Sequence, residues 1–191
     1  PIHDFDFVLP GNALRIARGV ANKIGAAYYP LDKQRQTARL ILGAEGQTRH
    51  IFDFAAFRGP DLEADLADRD FTINAIAMDM DDLQKVYDPL GGIADLHAKT
   101  LRACSLTAFE NDPVRILRAI RLAAEFDLRI TPETRSRMRT ETSGLGNVSI
   151  ERIRDEMFNI LKGQRVATSL RALDMLGVIE FIFPDLIALK G

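Results

Sequence analysis

The chain has 191 residues, 47% of them hydrophobic, which is enough for one large domain or two small ones. Its formal net charge of −2 excludes a protein that is a polycation overall. No apolar run approaches the roughly 18 residues of a membrane span, so no membrane partner is predicted. The single cysteine, Cys104, excludes an internal disulfide and is typical of the reducing cytoplasm.

Strand and helix signals alternate in the first part of the chain. HDFDF, residues 3–7, has the period-two alternation of a strand, which a Pro-Gly turn would end. Asn12 is the predicted N-cap of a helix from Ala13 to about Ile24, and Gly25 would close that helix. Further strands are predicted in AAYYP (26–30), TARLIL (37–42) and HIFDFAAF (50–57).

Helices dominate after about residue 103. The segment 61–80 looks helical in its first half and is compatible with helix or strand in its second. The segment 85–103 contains a proline and a glycine pair, which is typical of a turn and a connector. Asp112 is the predicted N-cap of a helix that opens with Pro113. Further helices are predicted in TPETRSRM (131–138), SIERIRDEMFNILK (149–162, capped by Ser149) and ATSLRALDMLGVIEFIF (167–183).

Charge is unevenly spread along the chain. Residues 1–100 carry a net charge of −4, whereas residues 101–191 carry a net charge of +2. Seven arginines and three acids lie within residues 113–140. An acidic half that could hold a metal ion is therefore followed by an arginine-rich half that could hold phosphate groups.

The HDFDF stretch has a specific geometric consequence. Asp4 and Asp6 share one face of the predicted strand, while Phe5 and Phe7 share the other. The phenylalanines can enter a core, and the two carboxylates repel each other unless a cation cancels their charge. A hard divalent cation such as Mg²⁺ prefers oxygen ligands of this kind. Two solvated aspartates on an exposed strand face are the alternative interpretation.

Three stretches, HDFDF, DRDFTINAIAMD and ENDPVRILRAIR, occur in this order. With YDPLGGIADL between the last two and SIERIRDEMFNIL after them, the chain closely resembles the bacterial tRNA nucleotidyltransferase and poly(A) polymerase family, the class II CCA-adding type. The resemblance implies an α/β plus all-α fold, with a DNA polymerase β-like nucleotidyltransferase head of mixed sheet and helices before a helical neck. It implies a head at 1–103, a base-recognising neck at 104–163 and the start of a helical body at 164–191.

The resemblance implies catalytic roles for three aspartates. Asp4 and Asp6 match the family's metal-binding Asp-x-Asp, and Asp53 matches more loosely the position of a third carboxylate. Residues 51, 53 and 55 share a strand face, so Asp53 could point toward Asp4 and Asp6 if the strands pair. Mg²⁺ would bind the triphosphate, activate the attacking 3′-hydroxyl and stabilise the leaving pyrophosphate. An ordinary strand-face aspartate is the alternative for Asp53.

Nucleotide-binding roles are implied for a second set of residues. Arg69, Asp70 and Asn74 match the family's Arg-Arg-Asp-x-x-x-Asn, which holds the ribose. Asp70 and Asn74 are four residues apart, so they share a face if this stretch is helical. Both side chains can hydrogen-bond hydroxyl groups. A helix cap is the alternative role for Asp70.

Asp112 and Arg115 match the pair with which the family reads the incoming base without a template. Cytosine and adenine present an amino donor beside a ring-nitrogen acceptor, and uracil and guanine present the reverse order. A carboxylate beside a guanidinium would therefore accept C and A and reject U and G. A capping Asp112 and a solvated Arg115 are the alternative. Arg118 and Arg121 continue the same helix and could bind triphosphate or RNA backbone.

Two connecting segments bear on function. Gly91 and Gly92 match a family segment that hinges the head against the neck, although a plain turn explains the pair equally well. Only RGPDLEA separates IFDFAAF from DLADRDFTIN, where many relatives carry a longer loop. Family members that add only the two cytidines also lack that loop, so a CC-adding preference is expected.

The sequence therefore predicts a template-independent nucleotidyltransferase that adds C, A or both to the 3′ end of tRNA from CTP and ATP. Poly(A) polymerase is the close alternative because it shares these motifs. A non-catalytic RNA-binding module is a more distant alternative to the predicted function. A metal-dependent phosphohydrolase ranks lower, since His3 and two further histidines make a poor metal cluster.

Overall fold

The computed structural model describes residues 4–43 and 48–185. The predictions for His3 and for the end of the helical body, residues 186–191, lie outside the described residues. The chain divides into two compact units, Pro1–Asp65 and Leu66–Gly191, called here the first and second unit. No helix in the described ranges has the length and apolarity needed to cross a lipid bilayer.

A mixed four-stranded sheet forms the first unit. Its strands are β1 (Asp4–Leu9), β2 (Ala27–Asp32), β3 (Thr37–Leu42) and β4 (His50–Ala56), in the spatial order β1-β4-β3-β2. Strand β1 runs parallel to β4, and the other neighbouring pairs are antiparallel. All four strands lie where the residue alternation predicts them.

Helix α1 (Ala13–Ile24) covers one face of this sheet. Oδ1 of Asn12 accepts a hydrogen bond from the Arg15 backbone N–H at 2.9 Å, and Gly25 ends the helix with a φ of 71°. Both predicted caps are therefore confirmed. The buried stripe of α1 consists of Ala13, Ala17 and Ala21. These small side chains, four residues apart, let the helix lie close to Leu40 and Phe54 of the sheet.

Phenylalanines of β1 and β4 also lie on the apolar face. Phe5 stacks on Phe52 with 5.3 Å between ring centroids, and Phe7 stacks on Phe54 at 4.9 Å. Aromatic pairs across neighbouring strands stabilise that strand pairing beyond the area they bury. Phe7 therefore packs against the core as predicted, whereas Phe5 is 37% exposed.

The second unit is mainly helical. Helix α2 (Leu62–Ala67) spans the division, and the later helices are α3 (Gly92–His97), α4 (Ala108–Asn111), α5 (Arg115–Phe126), α6 (Pro132–Thr140), α7 (Ile150–Lys162), α8 (Val166–Met175) and α9 (Val178–Ile182). Strands β5 (Ala77–Met78) and β6 (Val86–Tyr87) form one pair, and β7 (Thr100–Leu101) and β8 (Arg129–Ile130) form another. Two 3₁₀ turns, Thr72–Asn74 and Thr142–Asn147, complete it.

The division between the units lies well before the predicted head boundary at residue 103. Phe71 and Leu101 are fully buried in the same core cluster as Phe109, Leu117 and Met138 of the following helices. Strand β7 also pairs with β8, which lies between α5 and α6 in the chain. By compactness, residues 66–103 therefore belong with the helices, and the predicted domain boundaries stay predictions.

The predicted helix start at Asp112 is wrong. Asp112 is extended, with φ −152° and ψ 91°, and it separates α4 from α5, which begins at Arg115. The Asp112 carboxylate accepts from Arg152 of α7 instead of from a backbone N–H at the start of α5. Asp112 therefore ends α4 instead of capping α5.

Two other predictions need correction. The helix predicted over 167–183 is two helices, α8 and α9, because Gly177 adopts a left-handed φ of 78° between them. The predicted connector 85–103 contains helix α3 as well as short strands. By contrast, α6 begins as predicted, with the Thr131 side chain capping its first turn through the Thr134 backbone N–H at 3.2 Å.

Gly91 and Gly92 start helix α3. Gly91 has a left-handed φ of 73°, and Asp88 accepts hydrogen bonds from the backbone N–H groups of Gly92 at 2.6 Å and Ile93 at 3.0 Å. A Cβ on Gly92 would lie 2.0 Å from the carbonyl oxygen of Thr72. A close-packed turn within the second unit thus requires the pair, and its hinge role stays a prediction.

Replacing Gly92 by alanine is expected to lower the free energy of unfolding by about 2 kcal/mol or more, because the Thr72 backbone must move to admit the methyl group. Gly19→Ala is the control, since nothing lies within 4 Å of its added Cβ. Alanine at this exposed helical position should raise the free energy of unfolding by about 0.5–1 kcal/mol. Chemical denaturation measures both variants, and equal stabilities would contradict the packing role of Gly92.

Candidate functional site

One candidate site is a face of the four-stranded sheet in the first unit. The β1–β4 register places Asp6 opposite Asp53 and Asp4 opposite Ile51. The β3–β4 register places Arg39 opposite Asp53. Residues paired directly across neighbouring strands point to the same face. The acidic face, defined as Asp4, Asp6, Asp53 and Arg39, therefore lies opposite the stacked phenylalanines, and the strands pair as the interpretation of Asp53 required.

Arg39 holds Asp53 through two parallel hydrogen bonds. Its Nε donates to Oδ1 at 2.8 Å, and a terminal N–H donates to Oδ2 at 2.7 Å. The hydrogen bonds to Asp53, with the nearby charges of Asp4 and Asp6, raise the pKa of Arg39 against the opposing effect of burial. Sequence reasoning missed Arg39. The available signal was the alternation of TARLIL, which places this arginine opposite its two buried neighbours.

The acidic face offers donors that fit a hard divalent cation. Asp4 and Asp6 are exposed carboxylates on one strand face. Within residues 4–43 and 48–185, no group of three or more His, Cys, Asp or Glu side chains is arranged to hold a metal ion by itself. Mg²⁺ usually binds through one or two carboxylates together with waters and substrate phosphates. Asp4 and Asp6 therefore fit a Mg²⁺ shared with a nucleotide triphosphate.

A separate candidate site in the second unit is an ionic network around Asp70. Oδ2 of Asp70 accepts from Nε of Arg118 at 2.9 Å and from a terminal N–H of Arg118 at 2.7 Å. Oδ1 accepts from the Phe71 backbone N–H at 2.8 Å and from Nδ2 of Asn74 at 3.1 Å. These four bonds match the roughly four acceptor positions of a carboxylate. Asp70 therefore organises Arg118 and Asn74 around itself.

Electrostatics keep Asp70 ionised although it is only 8% exposed. Burial alone would raise its pKa, but the charge of Arg118 and the hydrogen bonds from Asn74, Arg118 and Phe71 outweigh burial and lower the pKa below its usual value. The exposed Asn74 reaches Asp70 across a 3₁₀ turn and not along an α-helix. The side chains thus meet without the helical geometry first considered. Arg69 lies half-buried directly before Asp70.

Glu156 of α7 joins the two predicted phosphate-binding arginines. A terminal nitrogen of Arg118 lies 3.5 Å from Oε1 of Glu156, and Nε of Arg121 donates to Oε2 at 2.8 Å. Arg121 also reaches Glu125 at 3.2 Å. Sequence reasoning did not identify Glu156. The phosphate-binding roles of Arg118 and Arg121 stay predictions.

The side chains of the predicted base-reading pair contact different partners. Arg115 is 6% exposed, and its guanidinium donates to the carbonyl oxygens of Ala108 at 3.2 Å and Asp68 at 2.8 Å. Oδ2 of Asp112 instead accepts from Arg152 of α7 at 2.7 Å. Sequence reasoning missed Arg152 as the partner of Asp112. The base-reading roles of Asp112 and Arg115 stay predictions.

Asp112 borders an open pocket of about 510 Å³, whose lining also includes Pro113, Ser143 and Arg152. In the part of the chain that the structure describes, Oδ1 of Asp112 is buried and has no hydrogen-bond partner. Leaving a buried polar atom unpaired costs about 1–3 kcal/mol. This oxygen is therefore a candidate acceptor for a donor group on a ligand.

Comparison with known proteins assigns the family. The family model described as "Poly A polymerase head domain" matches residues 1–102. The chain belongs to this family. A second family model, "Probable RNA and SrmB-binding site of polymerase A", matches residues 127–189.

Curated relatives of this poly A polymerase head-domain protein are named as tRNA nucleotidyltransferases. The CC-adding tRNA nucleotidyltransferase of Geobacter sulfurreducens is 42% identical over 185 residues, which cover 96% of this chain and 42% of the relative. The A-adding tRNA nucleotidyltransferase of Deinococcus radiodurans is 34% identical over 188 residues, which cover 96% of this chain and 41% of the relative. The chain thus spans less than half the length of these curated relatives.

A solved structure confirms the fold class. The Thermotoga maritima CCA-adding enzyme complexed with tRNA matches with a TM-score of 0.84 at 34% identity, covering 96% of this chain and 44% of that one. The mixed sheet with helices, followed by further helices, is therefore the nucleotidyltransferase head fold of CCA-adding enzymes. The resemblance seen in the ordered motifs is confirmed.

Asp70→Asn is expected to lower the free energy of unfolding by about 2 kcal/mol at neutral pH, because it removes the charged partner of Arg118. The folded-state pKa of Asp70 lies below its ordinary value of 3.8. Its stabilising contribution is therefore complete above that value and is lost as the pH falls through the folded-state pKa.

Denaturation curves between about pH 7 and pH 2 check this expectation. The stability difference between wild type and Asp70→Asn should stay constant down to about pH 5 and narrow below about pH 4. Asp155→Asn is the control, because its ion pair with Arg154 is exposed and contributes little. A difference that does not narrow in acid would contradict the role of Asp70.

Proposed function

We propose that this protein adds CMP residues from CTP to the 3′ end of tRNA without a template. The acidic face is the observation that carries the proposal, since it presents Asp4 and Asp6 together in a member of this polymerase family. Relatives named for CC and A addition to tRNA support the substrate class. The protein would meet this tRNA substrate in the cytoplasm, which is its proposed location.

Metal dependence is expected of nucleotidyltransferases in this family, and Mg²⁺ is the cation proposed here. Held by Asp4 and Asp6, Mg²⁺ would act as a Lewis acid toward the phosphates and the attacking hydroxyl. Asp53 would orient the 3′-hydroxyl by accepting its hydrogen bond. The 3′-oxygen bonds to the α-phosphorus, the bond to the bridging oxygen breaks, pyrophosphate leaves with the electron pair, and the hydroxyl proton passes to water.

The Asp70 network is proposed to bind the incoming nucleotide. Asn74 is exposed while hydrogen-bonded to Asp70, which fixes an amide where it could contact a ribose hydroxyl. Arg69, next in the chain to Asp70, is proposed to act on the same ribose. Arg118 and Arg121, both held by acids, are proposed to bind triphosphate or RNA backbone.

Base selection is proposed to depend on Asp112. Its buried, unpaired Oδ1 suits the exocyclic amino group of cytosine or adenine, whereas a uracil or guanine carbonyl would face it with a second acceptor. The complementary donor is an arginine. Arg152 already contacts Asp112, whereas Arg115 would first have to leave two backbone carbonyls.

The short connection between β4 and α2 supports CC addition over complete CCA addition. Oδ1 of Asp61 accepts from the Ala64 backbone N–H at 2.9 Å. The fully buried Asp65 accepts from the Arg58 backbone N–H at 3.0 Å. A Cβ on Gly59 would lie 2.6 Å from the Cβ of Ala64. The connection is a closed, packed turn, and the family resemblance associates its shortness with CC addition.

One incubation tests the activity. The full-length protein and Mg²⁺ are mixed with tRNA that lacks its 3′ CCA and, separately, with each labelled nucleotide. Two added CMP residues and no AMP would support the proposal. No incorporation would reject the transfer function, efficient addition of the terminal A would reject the CC preference, and a long adenylate tail would favour poly(A) polymerase.

Asp4→Ala and Asp6→Ala are each expected to lower kcat by roughly 1000-fold while leaving the fold intact, because the metal loses a carboxylate ligand. Glu63→Ala, at an exposed acid of α2, is the control with expected wild-type activity. Single-turnover CMP transfer and thermal unfolding measure the two effects. Near-wild-type transfer by either aspartate variant would show that the acidic face is not catalytic.

Asp112→Ala is expected to lower kcat/KM for CTP by roughly 10- to 100-fold and to narrow the preference for CTP over UTP, because one charge-assisted hydrogen bond is lost. Arg152→Ala and Arg115→Ala are measured in parallel. The variant that also narrows the preference for CTP over UTP identifies the arginine that donates to the base. Arg154→Ala is the control, since that exposed arginine contacts Asp155. An unchanged CTP/UTP ratio in Asp112→Ala would reject base reading by this carboxylate.

A further inference from the structure

We infer that Arg39 is a positioning residue that reserves Asp53 from metal binding and keeps its carboxylate oriented for the attacking 3′-hydroxyl. This role rests on the proposed function of the acidic face. It assigns different tasks to the three carboxylates: Asp4 and Asp6 hold the cation, and Asp53 is held by an arginine.

The geometry of the pair supports this division. Arg39 on β3 is the direct register partner of Asp53 on β4, so the two side chains meet without leaving their strands. Each oxygen of Asp53 receives one hydrogen bond, at 2.8 Å and 2.7 Å. This two-pronged contact fixes the plane of the carboxylate, which a single contact would leave free to rotate.

Charge makes a second, independent contribution. Asp4, Asp6 and Asp53 bring three negative charges to the acidic face, and Arg39 offsets one of them. Without Arg39, the face would attract a cation more strongly, and Asp53 would be free to turn toward it. Removing Arg39 is therefore expected both to tighten Mg²⁺ binding and to slow CMP transfer.

A contribution to folding stability explains Arg39 less well than a positioning role does. The Arg39 and Asp53 side chains are 41% and 30% exposed, and exposed ion pairs contribute little to folding. The same strand face could carry a neutral β-branched residue at position 39, as it does at Thr37 and Ile41. Position 39 therefore holds a charge that the sheet itself does not need.

The first arm of the test measures metal binding without nucleotide. Mg²⁺ is titrated calorimetrically into the wild type, Arg39→Ala, Asp53→Ala and the double variant. Arg39→Ala should bind Mg²⁺ roughly 3- to 10-fold more tightly than wild type. Most of that gain should disappear in the double variant, because Asp53 is then absent. Unchanged or weaker Mg²⁺ binding by Arg39→Ala would overturn the inference.

The second arm measures CMP transfer. Arg39→Ala should lower kcat by roughly 10- to 100-fold with little change in KM for CTP, because the hydroxyl-orienting carboxylate is misplaced. The same substitution in an Asp53→Ala background should cost nothing further. If the losses in kcat from Arg39→Ala and Asp53→Ala add in the double variant, Arg39 does not act through Asp53 and the inference is overturned.

Arg39→Lys covers the case in which Arg39→Ala folds poorly. Lysine keeps the charge but loses the two-pronged contact, so Mg²⁺ affinity should stay near wild type while kcat still falls. Full activity of Arg39→Lys would overturn the positioning role. Arg35→Ala, at an exposed arginine of the β2–β3 turn, is the control for losing a positive charge nearby.

The two arms separate this inference from the proposed function. If the wild type transfers no nucleotide, the proposed function fails, but the Mg²⁺ titrations still decide whether Arg39 withholds Asp53 from a cation. If the wild type transfers CMP and Arg39→Ala binds Mg²⁺ no more tightly, the inference fails alone.

Discussion

The parallel register of β1 with β4 is the constraint on which the acidic face depends. It sets Asp6 beside Asp53 on one side of the sheet and stacked phenylalanines on the other. A slip of one residue would turn Asp53 into the apolar side and expose Phe52 and Phe54, because side chains alternate along a strand. Packing of Phe7, Phe52 and Phe54 in the core therefore also aligns the carboxylates, so the core and the acidic face depend on the same strand register.

The second unit depends on a different kind of constraint, the cost of burying charge. Asp70 is almost fully buried, and its charge is tolerable only because Arg118, Asn74 and a backbone N–H satisfy it together. Arg118 in turn contacts Glu156, which also binds Arg121. The side chains proposed to bind nucleotide are thus placed by a network that extends over three separate chain segments.

Local sequence signals predicted the first unit well. The caps of α1, the positions of the four strands and the two faces of β1 follow from Asn12, Gly25 and period-two alternation. The start of α5 at Arg115 was not predicted, because an aspartate before a proline is a typical helix start, whereas the Asp112 carboxylate contacts Arg152 of α7 instead. The partners of the site residues could not be read from spacing, since Arg39 lies 14 residues from Asp53 and Arg152 lies 40 residues from Asp112. Such pairs exist only once tertiary structure brings their segments together.

The central claim is that the acidic face binds a divalent cation through β1. The most direct measurement titrates paramagnetic Mn²⁺ into isotope-labelled protein without nucleotide and follows backbone amide signals by NMR. The account predicts that signals around Asp4 and Asp6, and then around Asp53, broaden first, and that Asp6→Asn removes this effect. Broadening centred away from these strands, or unchanged by Asp6→Asn, would contradict it.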